Sequence, residues 1–275
     1  MKVVITRAEE DSKSFAKLLL ASAKQEQDIF YLPCLEFTPP DDNYVALDAA
    51  IRRNQEFDWL VFLSKRAADS FFSRILDLGA QFFHLAQHLK IAVVGAKTKD
   101  FIETNVNFPV DFCPSKFNSD SFSEEFKEKF TDDSNYLSPL KLLIPRTSIA
   151  DNKLIEDLES SKKIEVTQVD AYKTIKPELN DQVLADFKAL VLEAKANNEK
   201  IQLTLTSSEC VRNFFDISSA VIDIKEFQPC FDFYSIGPKV SASLRQEMKN
   251  RFGLQNIEIK ESGEATLDSL LSLLN

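Results

Sequence analysis

The stretch WLVFLSKRAADSFF, residues 59–72, carries the two signals on which the fold depends. Its first five residues are continuously apolar, as expected of a parallel strand that is covered on both faces. Ser64 then opens a helical segment. Similar strand-like runs recur and are followed by helical patterns; the runs are 3–6, 28–35, 59–63, 91–94, 142–144, 164–171, 201–205 and 231–236. This alternation predicts an α/β fold with parallel sheets.

The same stretch has a counterpart in the second half of the chain. Three pairs of segments match: WLVFLSKRAADSFF at 59–72 with QLTLTSSECVRNFF at 202–215, KVVITR at 2–7 with KLLIPR at 141–146, and IAVVGAKTKDFI at 91–102 with FYSIGPKVSASL at 233–244. They occur in the same order at separations of 139 to 143 residues. We therefore expect two copies of one α/β unit, with the polar, turn-rich segment 131–139 between them.

Each copy places a small or polar residue where a strand ends and a helix begins. These residues are Ser64, Gly95, Ser207 and Gly237. Open α/β sheets bind ligands at these strand ends, where helix N-termini offer unpaired N–H groups to carboxylates or phosphates. Capping alone would select the same residue types. Neighbouring cations favour a site for an anion; they are Arg7, Arg66, Lys97, Arg146 and Lys239.

Composition excludes several other functions. Only five of the 275 residues are glycine, and no two are closer than ten residues, so neither glycine-rich nucleotide loop can form. The net charge of −10 argues against nucleic acids and anionic membrane surfaces as partners. No apolar run approaches the length of a membrane span, and the N-terminus does not have the pattern of a signal peptide. We expect a cytoplasmic protein.

Histidines and cysteines give no pattern of a metal site. His84 and His88 have the spacing of a metal-binding helix, but HLAQH lacks the glutamate of that motif, so we expect a solvated helix face. No two cysteines form a C-x-x-C pair, which predicts buried thiols in a reducing compartment. The cysteines are Cys34, Cys113, Cys210 and Cys230.

Seven segments in this order resemble the uroporphyrinogen-III synthase family over essentially the whole chain. They are WLVFLSKRA at 59–67, AVVGAKT at 92–98, LIPRTS at 143–148, VDAYKTI at 169–175, LTSSECVRNFF at 205–215, YSIGPKVSASL at 234–244 and KESGEATLDSLLSLL at 260–274. The resemblance implies two flavodoxin-like α/β domains with parallel sheets, joined by a two-stranded β ladder, with the substrate in the cleft between them. It also implies a discontinuous first domain, 1–33 plus 176–275, a second domain, 39–168, and interdomain crossings at 34–38 and 169–175.

The resemblance further implies a reaction. The family's substrate is hydroxymethylbilane, a linear tetrapyrrole with eight carboxylates. The enzyme, a lyase, removes water from it, inverts ring D and closes the macrocycle to uroporphyrinogen III. No metal or organic cofactor is implied, and the tetrapyrrole is the expected partner of a monomeric protein. Because the pyrrole itself expels the hydroxyl, catalysis is mostly positioning, with modest help from an acid.

The family's functional residues map onto individual positions here. The tyrosine implicated in loss of the hydroxyl matches Tyr172. The family's substrate-binding positions match Ser64, Arg66, Thr98 and Ser207, with Ser208 beside the last. Where the family commonly has a hydroxyl residue after Gly-Pro, Gly237-Pro238 is followed here by Lys239, which could pair with a substrate carboxylate.

Two other interpretations remain open. A non-catalytic two-domain α/β protein would bind an anionic ligand without turnover, and only analysis of the product separates it from the cyclase. A flavodoxin-like signalling module would need an acidic cluster at the end of the first strand, where this sequence has Thr6 and Arg7.

Overall fold

The computed structural model describes residues 1–22, 24–79, 89–131, 138–149 and 152–274. In chain order the strands are β1 (Lys2–Ile5), β2 (Ile29–Tyr31), β3 (Glu36–Thr38), β4 (Trp59–Phe62), β5 (Lys90–Val93), β6 (Leu140–Thr147), β7 (Ile164–Ile175), β8 (Ile201–Leu205), β9 (Phe231–Ser235) and β10 (Ile259–Glu261). The α-helices are α1 (Glu9–Ala21), α2 (Val45–Arg52), α3 (Lys65–Leu78), α4 (Ala96–Phe101), α5 (Ser119–Thr131), α6 (Lys153–Glu159), α7 (Asp181–Asn197), α8 (Ser208–Ser218), α9 (Ile224–Phe227), α10 (Pro238–Phe252) and α11 (Leu267–Ser272). In the described ranges, no helix has the length and apolar character needed to cross a membrane.

The chain divides into two compact units. Unit 1 comprises Met1–Phe37 and Ile175–Asn275, and unit 2 comprises Thr38–Thr174. The divisions fall within β3 and at the last residue of β7, two strands that are neighbours in one sheet. The prediction of an α/β fold with parallel sheets is confirmed.

Unit 1 is built on a sheet with the order β10-β9-β8-β1-β2, in which all four neighbouring pairs are parallel. Counted within the unit, this is the 2-1-3-4-5 order of flavodoxin-like folds. Both faces of β1 are covered, because Val3 and Ile5 pack with α1 and α11 whereas Val4 packs with α7, α8 and α10. Each residue of β8 is likewise buried, including Gln202 and Thr204, whose side chains donate to the Tyr234 hydroxyl and the Val4 carbonyl.

Unit 2 is built on a second sheet with the order β3-β7-β6-β4-β5. The pairs β7–β6, β6–β4 and β4–β5 are parallel, and Phe112 forms a further parallel bridge to Ala92 of β5. In β4, Leu60 and Phe62 face a core that includes α2 and α3, while Trp59 and Val61 face one that includes α5 and α6. The apolar stretch WLVF, residues 59–62, therefore forms a strand buried on both faces.

The duplication is visible in the register of the strands. In unit 1, Val3 pairs with Gln202, which pairs with Asp232. In unit 2 the repeat counterparts of these residues pair in the same way, Leu142 with Trp59 and Trp59 with Lys90. Each sheet therefore combines the first two strands of one copy with the later strands of the other.

Several strand boundaries differ from the prediction. β2 is shorter than 28–35, because Pro33 lacks the N–H that a ladder needs, although Leu32 and Cys34 on either side still donate to Ile5 and Thr6. β6 and β7 are longer than predicted, and β10 was not predicted. β10 is an edge strand with two exposed charged residues, so it has no apolar pattern.

We predict that neither sequence half folds alone. A fragment 1–137 would hold β1 and β2 without β8, and 138–275 would hold β6 and β7 without β4, so each would expose unpaired edges and incomplete cores. A fragment 38–174 contains the strands and cores of unit 2 and should unfold cooperatively. Urea unfolding followed by near- and far-UV circular dichroism tests this. Two halves that each unfold in one cooperative step would contradict it.

Candidate functional site

Two serines cap helices at matching positions in the two units. The Ser64 hydroxyl accepts the N–H of Ala67 at 3.1 Å, and the Ser207 hydroxyl accepts the N–H of Cys210 at 3.0 Å. Their backbone angles are nearly identical, with φ of −153° and −156°. Both helices begin directly after a parallel strand, so their N-termini and positive dipole ends lie at the carboxyl ends of the sheets. Ser208 is the first, half-buried residue of α8.

Two glycines begin the helices that follow β5 and β9. A β-carbon on Gly95 would meet no atom within 4 Å, and one on Gly237 would meet only Ala265 at 3.8 Å. Packing against the described residues therefore does not require glycine at either position. The open space at Gly95 is consistent with close approach of a ligand to the backbone.

Matching lysines lie two residues after these glycines. Lys97 and Lys239 are both exposed, and neither has an ion-pair partner within the part of the chain that the structure describes. Both ammonium groups are therefore available to carboxylates of a ligand. Thr98 differs from them, because it is 4% exposed and so offers little surface to a ligand in this conformation.

The two matched arginines have different environments. Arg7, directly after β1, lies 3.3 Å from Asp11 with 20% of its side chain exposed, and its buried Nε has no hydrogen-bond partner among the described residues. Arg146 is within β6 and is only 4% exposed. Its Nη1 donates to Gln168 at 3.0 Å and to Asn152 at 3.1 Å. Arg146 is therefore held inside unit 2, whereas Arg7 is partly open.

A β-bulge determines where Tyr172 points. Along β6 and β7, Arg146 pairs with Asp170 but Thr147 pairs with Tyr172, so Ala171 is an extra residue in β7. In a regular strand, Ala171 and Tyr172 would point to opposite faces. Here Ala171 belongs to the apolar core next to α3, and Tyr172 packs against the same core. Bulges commonly redirect side chains next to functional sites.

The redirected phenol meets the N-terminus of α3. Its hydroxyl hydrogen-bonds Ser64, and the charges of Arg66 and Arg146 act on it. Burial raises the pKa of Tyr172 above its ordinary value, while Ser64 and the two arginines oppose that rise. Arg66 itself is half-buried and lies 3.7 Å from Asp69. The structure therefore brings three predicted site residues of unit 2, Ser64, Arg66 and Arg146, together around the phenol of a fourth, Tyr172.

Three residues near Tyr172 were not predicted. Gln168 and Asn152 accept hydrogen bonds from Arg146. The sequence indicates their role only indirectly, because a cation inside an apolar strand requires polar partners. Thr147 lies in the segment LIPRTS, but the sequence predicts no role for it. Its hydroxyl is buried without a hydrogen-bond partner in the described ranges, next to Tyr172 in the strand register. Such groups are uncommon and mark places where a ligand or water can bind.

The four cysteines lie outside the set of residues around Tyr172. All four cysteines are free; Cys34, Cys210 and Cys230 are buried as predicted, and Cys113 is half-buried. No group of three or more His, Cys, Asp or Glu that could hold a metal occurs in the described residues. His84 and His88 lie outside the described residues.

The fold and the site together define a duplicated, flavodoxin-like α/β protein with features suited to an anionic ligand. The family model described as Uroporphyrinogen-III synthase HemD matches residues 8–257. The chain therefore belongs to the uroporphyrinogen-III synthase family. It is 28% identical over 271 residues to the uroporphyrinogen-III synthase of Synechococcus elongatus, an alignment that covers 98% of this chain and 92% of the relative.

Two solved structures share the fold. A uroporphyrinogen-III synthetase from Helicobacter pylori has a TM-score of 0.62 at 16% identity, covering 99% of this chain and 97% of its own. A mutant uroporphyrinogen III synthase from Thermus thermophilus has a TM-score of 0.56 at 12% identity, covering 100% of this chain and 97% of its own. At these identities the likeness concerns the fold alone.

We predict that Tyr172 titrates above the ordinary tyrosine value of about 10, because burial favours the neutral phenol. The phenolate absorbance of the native protein minus that of Tyr172→Phe isolates this residue from the other four tyrosines. A midpoint at or below the ordinary value would contradict the prediction.

The same shift has a consequence for stability. The folded state binds the phenol proton of Tyr172 more tightly than the unfolded state does. The contribution of this proton to the free energy of unfolding is therefore fully present below the pKa of the unfolded state, and it is lost as the pH rises through the pKa of the folded state. The difference in unfolding free energy between the native protein and Tyr172→Phe should therefore shrink above pH ~10. A difference that stays constant over this range would indicate an unshifted phenol.

Proposed function

We propose that this protein converts hydroxymethylbilane to uroporphyrinogen III, acting as a lyase that removes water, inverts ring D and closes the macrocycle. The observation that carries the proposal is the family match over residues 8–257, together with a half-buried tyrosine beside Ser64 at the strand ends of unit 2. We further propose that it works as a monomer in the cytoplasm, which its net charge of −10 and free cysteines support.

The hydrogen bonds around Ser64 favour a proton-donor role for Tyr172. The Ser64 oxygen accepts the N–H of Ala67, and Ser64 opposes the rise in the pKa of Tyr172, as a hydroxyl that donates to the phenol oxygen would do. In the proposed arrangement the serine donates to the phenol oxygen and the phenol donates to the ligand. In the proposed step it passes to the substrate hydroxyl, the C–O bond breaks, water departs and the pyrrole nitrogen supplies the electron pair. The resulting phenolate recovers a proton when the rearranged ring D loses one to regain its aromatic form.

The exposed cations support binding of a substrate with many carboxylates. In unit 2, Lys97 and the N-terminus of α3 are available, and in unit 1, Lys239 and the N-terminus of α8. Each exposed ion pair is worth only about 0.2–1 kcal/mol. Several such pairs, spread over a long flexible substrate, would fix its shape without any single strong contact.

The proposed acid is tested with Tyr172→Phe. Positioned proton transfer typically contributes ~10²–10⁴-fold, and a leaving group already expelled by a pyrrole needs less, so the rate should fall roughly tenfold to a hundredfold. The product should remain type III, because the shape of the bound chain selects the isomer. The assay is separation of type III from type I uroporphyrinogen, made from fresh hydroxymethylbilane. An unchanged rate would exclude Tyr172 as the acid, and type I product would mean that it positions ring D.

The proposed binding lysines are tested by charge reversal. Lys97→Glu and Lys239→Glu should each raise KM by about threefold to tenfold, since each removes one attraction and adds one repulsion. Added salt should reduce the difference from the native protein because it screens exposed charges. Lys188→Glu is the matched control, since Lys188 is also an exposed lysine without an ion-pair partner among the described residues, in the middle of α7. Equal effects at all three positions would show only a dependence on net charge.

A further inference from the structure

Arg146 is a buried cation with an ordered set of hydrogen bonds. Its Nη1 donates to the Gln168 and Asn152 side chains at 3.0 and 3.1 Å, and its Nε donates to the Thr147 carbonyl at 3.4 Å. These partners come from β6, from β7 and from the residue that precedes α6. With 4% of its surface exposed, the side chain is poorly placed to touch a substrate directly. Its position instead ties together the segments around the bulge.

The bulge connects this guanidinium to Tyr172. Arg146 is the last regularly paired residue of β6 before the register shift, and the next pair is Thr147 with Tyr172. Its charge acts on the phenol, together with Arg66. Asp170, the strand partner of Arg146, also faces it, with Asp41 and Asp42 near that carboxylate. Burial and the two neighbouring aspartates raise the pKa of Asp170, and Arg146 opposes that rise.

The first copy of the repeat lacks this arrangement. Its matching arginine, Arg7, pairs with Asp11, and the residue 26 positions further on is Pro33, whereas 26 positions after Arg146 is Tyr172. The two arginines occupy matching positions of the repeat, but Arg7 lies after the end of β1, whereas Arg146 lies within β6, where the next strand pair contains Tyr172. Capping and sheet packing are common to both copies and therefore do not account for the difference.

We propose that Arg146 is a positioning residue for Tyr172: held by Gln168 and Asn152, it fixes the bulge and places a buried positive charge beside the phenol as its proton leaves. This inference rests on the proposed acid role of Tyr172. The charge balance is simple. The phenol begins neutral and becomes an anion when its proton passes to the departing hydroxyl, so a fixed cation stabilises the second state more than the first.

A double-mutant cycle tests the proposal. Arg146→Met should lower kcat for type III formation by about threefold to tenfold with less than a twofold change in KM. It should also raise the midpoint of the Tyr172 titration by about one pH unit, the low end of the effect of a nearby charge. In the Tyr172→Phe background, the same substitution should cause no further loss of rate, because the phenol through which it acts is absent. The variant should fold, since Gln168 and Asn152 are both exposed and can bond to water instead.

A second variant changes the charge while keeping the arginine. Gln168→Glu places a carboxylate where an amide oxygen now lies 3.0 Å from Nη1, which offsets the charge without removing a side chain. It should raise the titration midpoint and lower kcat in the same sense as Arg146→Met, without lowering the melting temperature. Gln55→Glu is the matched control, because Gln55 is exposed in the turn before β4, at the opposite end of the strands. It should change neither quantity.

The outcomes separate this proposal from the proposed function. Equal losses from Arg146→Met with and without the phenol would overturn it, since Arg146 would then act on the substrate or on stability alone. An unchanged rate and titration in both Arg146→Met and Gln168→Glu would overturn it as well. An unchanged rate in Tyr172→Phe would overturn the acid role and this inference together, whereas a loss there with additive effects would overturn this inference only.

Discussion

Parallel pairing between strands of different repeat copies is the constraint on which the rest of the structure depends. β1 pairs with β8, almost 200 residues further along the chain, and β6 pairs with β4 in the same register. A parallel pair needs a long crossover connection, and the connection from β2 to β8 contains the whole of unit 2. The pairing also aligns the carboxyl ends of strands from both copies at one edge of each sheet. The helices that follow β4 and β8 therefore begin at equivalent places, with Ser64 and Ser207 as equivalent caps.

The proposed acid chemistry depends on a position at which the two copies differ. Both have the serine cap, the glycine at the next helix and the lysine two residues later, which together can hold carboxylates but cannot move a proton. Only the second copy has a tyrosine 26 residues after its arginine, and a bulge in β7 turns that tyrosine toward the first copy's Ser64. Ser64 thus has two functions in unit 2, because its hydroxyl both caps the N-terminus of α3 and contacts the phenol of Tyr172. In the proposed mechanism both copies supply binding groups and only one supplies an acid, which suits a reaction that is mainly positioning.

The sequence predicts the fold to the extent that apolar patterns report burial. WLVF is buried on both faces, so its apolar run is clear and its predicted boundary differs from the observed one by a single residue. β10 carries its charges outward at an edge and gives no such signal. For the site, motifs located Tyr172, Ser64, Arg66 and Arg146, but they could not show that Arg146 is buried. Arg146 is accommodated there by hydrogen bonds to Gln168 and Asn152, and the sequence pattern of neither residue indicates that role.

Burial of the phenol has opposing effects on an acid. It raises the pKa of Tyr172, which weakens the tyrosine as a proton donor, and it also excludes water and strengthens the fields of nearby charges. Arg66 and Arg146 offset part of the rise in pKa. Their fields are stronger where water is excluded, and a cation beside a desolvated phenol stabilises the anion that would remain after proton donation. At neutral pH the phenol remains fully protonated, so the site always contains the acid form. In the proposed mechanism the pyrrole of the substrate expels the hydroxyl, so a weak acid that stays protonated and correctly oriented is sufficient. The stronger requirement then falls on the residues that hold the orientation of Tyr172.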